Sequence, residues 1–351
     1  MITAMQRILL LCDRGSFVEY DRMVKSRNSR FKSTDDCHGD VIVIGVGKVA
    51  GRQIAVFSED STHFGGTSGE EHSKKLSKII KIARENKLPL VGFLVSGGGR
   101  IQEGILAMDV TSKALREYIQ LSGYVPTITV ACGTCAGGAA YLCASSDFNY
   151  MIENESVMLL TGPKVIEKVL QEHTTKEELG GCDVHAKLTG NAAFVLPSLQ
   201  HILYHIPVLL DFLPNHYSMP QDIDFTLATA YDKREVLLKV LPDNSENTYD
   251  MMDIIYQIAD TDSIMMVNAY YAPNILTGFV RIGGRNVGVI ANQPTHLGGT
   301  IDIDALKKST RHQQICDAYN IPLLFLVDSP GILPGVEQER SGLITYGAKL
   351  F

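Results

Sequence analysis

A chain of 351 residues, 45% hydrophobic and 20% charged, carries enough apolar material for two or three packed domains. Its net charge of −7 argues against a nucleic-acid binder, which needs a basic face, but leaves room for a few Lys or Arg to meet a phosphorylated small molecule. No apolar run nears the roughly 18 residues of a membrane span, and Ile8–Leu11, followed by Asp13 and Arg14, is too short for a secretory core. The seven cysteines, an odd number without scaffold spacing, read as free thiols of a reducing compartment, so the chain is expected in the cytoplasm.

In chain order, Val41–Val46 is β-rich, and Gln53–Ser58 returns after Ala50-Gly51 as the second strand of a hairpin. Glu70–Glu85 places Leu76, Ile79, Ile80, Ile82 and Ala83 near helical spacing with lysines opposite. Leu90–Val95 is a continuous apolar run, a buried strand, opening into Ser96-Gly-Gly-Gly99. Lys113–Ser122 reads as an amphipathic helix, Pro126–Ala131 as the next buried strand, Gly133–Gly138 as a second glycine loop, and Ala139–Ala144 as a small-residue helix. Strands alternating with helices predict parallel pairing with right-handed crossovers. The stretch 213–250, with Leu213-Pro-Asn215, Ser218–Asp224 and Asp243–Asn247 rich in turn-formers and acids, reads as a connection between domains. The expected division is 1–245 and 246–351.

An internal repeat organises the rest. Gly51-Arg52 recurs as Gly284-Arg285, and His63-Phe-Gly-Gly-Thr67 as His296-Leu-Gly-Gly-Thr300, both at an offset of 233. Phe93-Leu-Val95 recurs as Phe325-Leu-Val327 at 232. Three matches in order predict two copies of one α/β module. The counterpart of Gly137-Gly138 then falls near position 369, beyond Phe351, so the second copy is expected to be incomplete.

Gly133–Gly138 lies between a strand and a helix, where backbone N–H groups and the helix dipole favour an oxyanion; tight strand–helix packing is the competing reading. Ser96–Arg100 is a glycine loop at a strand's C-terminal end, the edge at which open α/β sheets bind ligands. Arg100 reaches a phosphate or pairs with Glu103. Asp328-Ser-Pro-Gly331 is its counterpart in the second copy. Gly45-Val-Gly47-Lys-Val-Ala-Gly51 has the wrong spacing for a dinucleotide fingerprint and runs into a strand. Cys132 and Cys135 lack the second pair that a zinc ribbon needs. His63 and His296 read as turn-packing residues, and no metal site is expected.

Ser96-Gly-Gly-Gly-Arg-Ile-Gln-Glu-Gly104 resembles the loop SGGARIQEG, and Gly133-Thr-Cys-Ala-Gly-Gly138 resembles GPCAGG. Thr161-Gly-Pro163, Thr175–Gly181, Tyr271-Ala-Pro-Asn274, Ala291-Asn-Gln-Pro294, Asp302-Ile-Asp304 and Asp328-Ser-Pro-Gly331 through Gly347-Ala-Lys349 follow in order. The chain is thus similar over nearly its whole length to the carboxyltransferase subunits of biotin-dependent acyl-CoA carboxylases. It departs from that pattern at Gly99 (usually Ala), Thr134 (usually Pro) and Glu337–Arg340.

The resemblance implies two crotonase-type domains of the ββα superhelix kind: an acyl-CoA-binding half and a biotin-binding half. It implies carboxyl transfer between carboxybiotin and the α-carbon of an acyl-CoA thioester, with backbone N–H groups stabilising the enolate. The site residues it implies are Gly137 and Gly138 for catalysis; Ser96, Gly97, Gly98, Gly99 and Arg100 for acyl-CoA; and Asp328, Ser329, Pro330 and Gly331 for biotin. The implied cofactor is biotin on a separate carrier, with acyl-CoA as substrate. The implied partners are a biotin carboxyl carrier protein, a biotin carboxylase subunit and further copies of the chain, with no nucleic acid and no membrane insertion. The alternative is a truncated, non-catalytic family member that binds acyl-CoA or assembles with a partner subunit. A single-site hydratase or isomerase leaves the repeat unexplained.

Overall fold

The computed structural model describes residues 2–26, 38–220, 223, 225–227, 234–244 and 247–350. Cys37 and parts of the turn-rich stretches 218–224 and 243–247 lie outside the described residues. The chain divides into two compact units, Met1–His185 with Asn191–Leu210, and Ala186–Gly190 with Asp211–Phe351. The boundary expected at 245/246 falls inside the second unit. The chain passes over at Leu210–Asp211 instead, because Phe212 stacks on Phe279 with ring centroids 5.9 Å apart and the Asp211 carboxylate pairs with Arg281.

The first unit holds β1 (Val18–Tyr20), β2 (Ile42–Val49), β3 (Arg52–Glu59), β4 (Leu90–Ser96), β5 (Thr127–Ala136), β6 (Phe148–Ile152), β7 (Val157–Leu159) and β8 (Phe194–Leu196). The sheet order is β1-β2-β3-β4-β5-β6-β8, with β7 paired to β5. The hairpin β2–β3 is antiparallel; from β3 to β8 every pairing is parallel. The strands β4 and β6 are buried almost throughout, as a sheet covered on both faces demands. Gly92 sits within β4 because a Cβ there would run into the Phe57 ring, which is itself wholly buried. The helix Glu70–Glu85 buries Leu76, Ile79, Ile80 and Ala83 of the stripe read from its spacing, while Ile82 is only half-buried at the stripe's edge. The second amphipathic helix spans Ile105–Ile119 and so begins earlier than expected, immediately after Gly104 at φ 64°. Strand β5 runs past 131 to Ala136, because Thr134–Ala136 find a partner in β7.

The second unit holds β9 (Met265–Met266), β10 (Ile275–Ile282), β11 (Arg285–Asn292) and β12 (Leu323–Leu326), in the order β12-β11-β10-β9 among the described residues. It reproduces the first unit at a constant offset of 233. The hairpin β2–β3 becomes β10–β11, the 3-10 turn Phe64–Gly66 becomes Leu297–Gly299, and the helix Glu70–Glu85 becomes Ile303–Ala318. The parallel pairing Ala55↔Leu90 becomes Gly288↔Leu323. The strand register therefore matches Gly92, not Phe93, with Phe325, and corrects the offset of 232 read from the sequence. The repeat extends to details: Lys75 Nζ donates to Gly39 and Ile42 carbonyls, and Lys308 Nζ to those of Tyr271, Ala272 and Ile275. The hairpin turns are capped alike, by Asp13 on the N–H groups of Ala50 and Gly51 and by Asp260 on those of Gly283 and Gly284. Each cap satisfies turn donors that would otherwise stay unpaired.

Candidate active site

The C-terminal ends of β4 and β5 carry the two glycine loops. Ser96 Oγ donates to the Gly66 carbonyl at 2.6 Å and accepts the Gly98 N–H at 3.2 Å. Gly97 N–H donates to Gly65 O, Ser68 N–H to Gly98 O and Arg100 N–H to Ser68 O, each at 2.9 Å. Gly66 is required where it stands, since a Cβ there would collide with the Val95 carbonyl. At Gly99, by contrast, an added Cβ would meet nothing within 4 Å, so this residue faces open space.

Beneath the loop lies a buried charge network. Arg100 Nη1 contacts Asp40 Oδ1 at 2.7 Å and Glu103 Oε1 at 2.8 Å, Nη2 donates to Thr67 O, and the guanidinium lies 4.7 Å over the Phe64 ring. The other oxygen of Asp40 accepts the His72 N–H, and that of Glu103 the Glu70 N–H. Glu59 accepts the Val95 N–H at 2.9 Å and lies 3.3 Å from His72 Nε2. The Arg100 side chain is 3% exposed. Of the two roles open to Arg100, pairing with Glu103 is the one realised; the phosphate contact is not one this geometry makes. Asp40, Glu59 and His72 were not singled out from the sequence. Their signal is faint: isolated charged side chains bordering apolar runs, paired only in three dimensions.

In the second loop, Gly137 takes φ 59°, ψ −118°, a conformation open to glycine alone. Its N–H donates to the Leu159 carbonyl at 3.1 Å. This corrects the expectation of two adjacent donors: Gly137 supplies the turn, and Gly138 opens the helix Gly138–Ser145. The first N–H groups of a helix have no partner within it. The loops meet at their glycines, with a Cβ on Gly137 falling 3.8 Å from Gly98 Cα and one on Gly98 3.9 Å from the Ala136 carbonyl. Cys132 and Cys135 are free thiols beneath this loop, donating to Val130 O and Leu94 O. Burial pushes Cys132 up to about 12, so it is no ready nucleophile.

Asp328–Gly331 repeats the first loop. Ser329 Oγ accepts the Gly331 N–H at 3.1 Å as Ser96 accepts that of Gly98, and Gly299 stands against the Asp328 carbonyl as Gly66 does against Val95. Where the first copy has Arg100 and its carboxylates, the second has Leu333 flanked by Pro330 and Pro334. Asp328 accepts the Tyr249 hydroxyl at 2.7 Å, and burial together with that carboxylate raises the phenol to about 12. A Cβ at Gly331 would meet nothing within 4 Å, so this turn faces open space. Among the described residues no cluster of His, Cys, Asp or Glu is arranged to hold a metal.

Two copies of an α/β module, each presenting a serine-glycine loop at the end of a parallel strand, define the class: a double-module α/β protein of crotonase type. The carboxyl transferase domain model matches residues 2–351, and the chain belongs to that family. It is 42% identical to the propionyl-CoA carboxylase beta chain of Cereibacter sphaeroides, over 99% of this chain and 69% of the relative. It is 41% identical, with the same coverage, to the methylmalonyl-CoA decarboxylase subunit alpha of Veillonella parvula. Among solved structures, transcarboxylase 12S, a hexamer described with methylmalonyl-coenzyme A bound, superposes with a TM-score of 0.95 at 37% identity, over 99% of this chain and 67% of that one. The chain thus spans about two thirds of the length of these relatives.

Proposed function

We propose that the chain is the carboxyltransferase subunit of a biotin-dependent acyl-CoA carboxylase or decarboxylase, moving a carboxyl group between carboxybiotin and the α-carbon of an acyl-CoA thioester. The observation that carries this reading is the meeting of the two glycine loops at Gly98 and Gly137. In that reaction negative charge grows on the thioester oxygen as the enolate forms. Preorganised N–H donors stabilise such a charge without reorganisation, and losing one typically costs about 10²–10³ in rate.

The donors we assign are the N–H groups of Gly99 and Gly138, one from each loop, for which no protein acceptor is found among the described residues. Gly137 sets the turn, and Ser96, Gly97 and Gly98 set the first loop through their own hydrogen bonds. Arg100, held by Asp40 and Glu103, fixes that loop from below. Carboxybiotin, brought by a separate carrier, supplies the carboxyl group and a nitrogen able to take the α-proton, which is why the site needs no side-chain base. Asp328, Ser329, Pro330 and Gly331 form the loop we assign to it; the open face at Gly331 and the Ser329 bond that holds the turn fit a planar ureido group. The first unit is accordingly the acyl-CoA side and the second the biotin side.

The partners that follow are a biotin carboxyl carrier protein, a biotin carboxylase and further copies of this chain, the last in keeping with the hexameric relative. No helix among the described residues is long and apolar enough to cross a membrane. The free thiols fit a reducing compartment, and on that ground we place the enzyme in the cytoplasm. Calorimetry with propionyl-CoA and with NAD tests the assignment. Propionyl-CoA binds and NAD does not; tight NAD binding without thioester binding overturns it.

A further inference from the structure

Behind the Gly137–Gly138 turn is a pocket of about 380 Å³ lined by Ala140, Tyr141, Ala144, Leu160, Ile166 and Leu179, with His185 and Asn191 at its polar end. It adjoins the proposed oxyanion site through two short connections. Ala140, Tyr141 and Ala144 lie on one face of the helix that Gly138 opens, and Leu159, whose carbonyl takes the Gly137 N–H, also lines the wall. The opposite face of that helix, Ala139, Leu142 and Cys143, is buried in the core. The pocket face is apolar and only partly covered: Ala140 at its base is buried, while Tyr141 and Leu160 are about half exposed, at 52% and 55%. From the helix, Ala140, Ala144 and Tyr141 line it. The His185 imidazole is committed to the Met158 carbonyl at 2.9 Å, and burial lowers its proton affinity, so it offers the pocket no cation.

We infer that this pocket receives the acyl tail of the thioester, and that it admits tails longer than propionyl. This rests on the proposed carboxyl transfer and narrows its substrate. An apolar cavity of about 150 Å³ is enough for benzene. The space here is more than twice that, so it takes a chain of about six to eight carbons, branched or straight. The anionic thioester oxygen is held at the helix start, and the hydrocarbon runs back along the helix side. Ala140 and Ala144 are small because their methyls form the floor; Ile166 and Leu179 close the far side.

The test is calorimetry of the purified chain with coenzyme A and with its acetyl, propionyl, hexanoyl and octanoyl thioesters. Burial of each added methylene strengthens binding by up to roughly four-fold, so hexanoyl-CoA binds more than ten-fold tighter than propionyl-CoA. Ala144→Phe fills the pocket and weakens hexanoyl-CoA at least ten-fold more than acetyl-CoA. Ile166→Ala, which removes volume from the far wall, shifts the preferred length upward. Affinity that stays flat or falls beyond propionyl, with both variants affecting all thioesters and coenzyme A equally, overturns the acyl pocket but leaves carboxyl transfer standing. Failure to bind any thioester overturns both.

Discussion

Arg100 changes meaning between sequence and structure. Beside three glycines at a strand end it reads as an anion ligand. In the fold, two carboxylates, a carbonyl and an aromatic ring enclose it. Removing one partner of such a group strands buried charge and costs about 3–5 kcal/mol, more than the pair itself contributes. Arg100→Leu therefore destabilises the first unit by that order, measured by denaturant unfolding, with Arg100→Lys intermediate because an ammonium cannot span all the acceptors. Equal stability of Arg100→Leu and wild type would return the guanidinium to a ligand role. Gly137 is a second such case. Its doublet with Gly138 is obvious in the sequence, but the use of its N–H by Leu159 is not, because the three-residue strand Val157–Leu159 is too short to leave a pattern.

At the scale of elements, much that depends on local period or glycine was legible: the hairpins, the helix Glu70–Glu85, the buried run Leu90–Val95 and the loops that follow, though the helix read at Lys113–Ser122 lies at Ile105–Ile119. Contacts between distant residues were not. The Asp13 and Asp260 caps lie 37 and 24 residues or so from the turns they satisfy, and no local signal announces them. The helix Ile303–Ala318 carries another hidden feature, the buried line Lys308, His312 and Cys316. His312 Nε2 donates to the Gly278 carbonyl at 2.9 Å, and burial lowers its pKa to about 4. Between about 6.5 and 4 the unfolded chain takes up a proton at this position that the folded chain refuses. Its contribution is therefore complete above pH 6.5 and lost as pH falls, by up to about 3 kcal/mol. His312→Gln, which keeps a donor to Gly278, flattens this part of the pH dependence when melting is followed from pH 7.5 to 4.5. An unchanged slope in the variant would show that His312 takes up its proton as readily in the fold as in the unfolded chain.

On the scale of the whole molecule, the repeat was visible in a few conserved-offset motifs, and the structure extends it to strand register, turn caps and buried lysines. What the repeat does not predict is the division of labour. One loop is held from beneath by Arg100 and its carboxylates, the other carries Pro330 and Pro334, and the proposed assignment of one to acyl-CoA and the other to biotin rests on that asymmetry. That division predicts local protection: with propionyl-CoA bound, amide hydrogen exchange slows around 96–100 and 136–141 and stays unchanged around 328–335. Protection confined to the second loop would reverse the assignment of the two units.

The central claim, that a backbone N–H at the start of the helix Gly138–Ser145 stabilises the thioester oxygen, is tested most directly at Gly138 itself. Proline is tolerated at the first position of a helix, where the N–H has no intrahelical acceptor, so Gly138→Pro deletes the donor and little else. Gly138→Ala keeps the donor and places a methyl 3.5 Å from Thr111 Cγ2, an ordinary contact. In the native assembly, with a carboxylated biotin carrier and propionyl-CoA, we expect Gly138→Pro to slow carboxyl transfer about 10²–10³-fold, and Gly138→Ala to stay close to wild type. Transfer by Gly138→Pro at the wild-type rate would contradict the account.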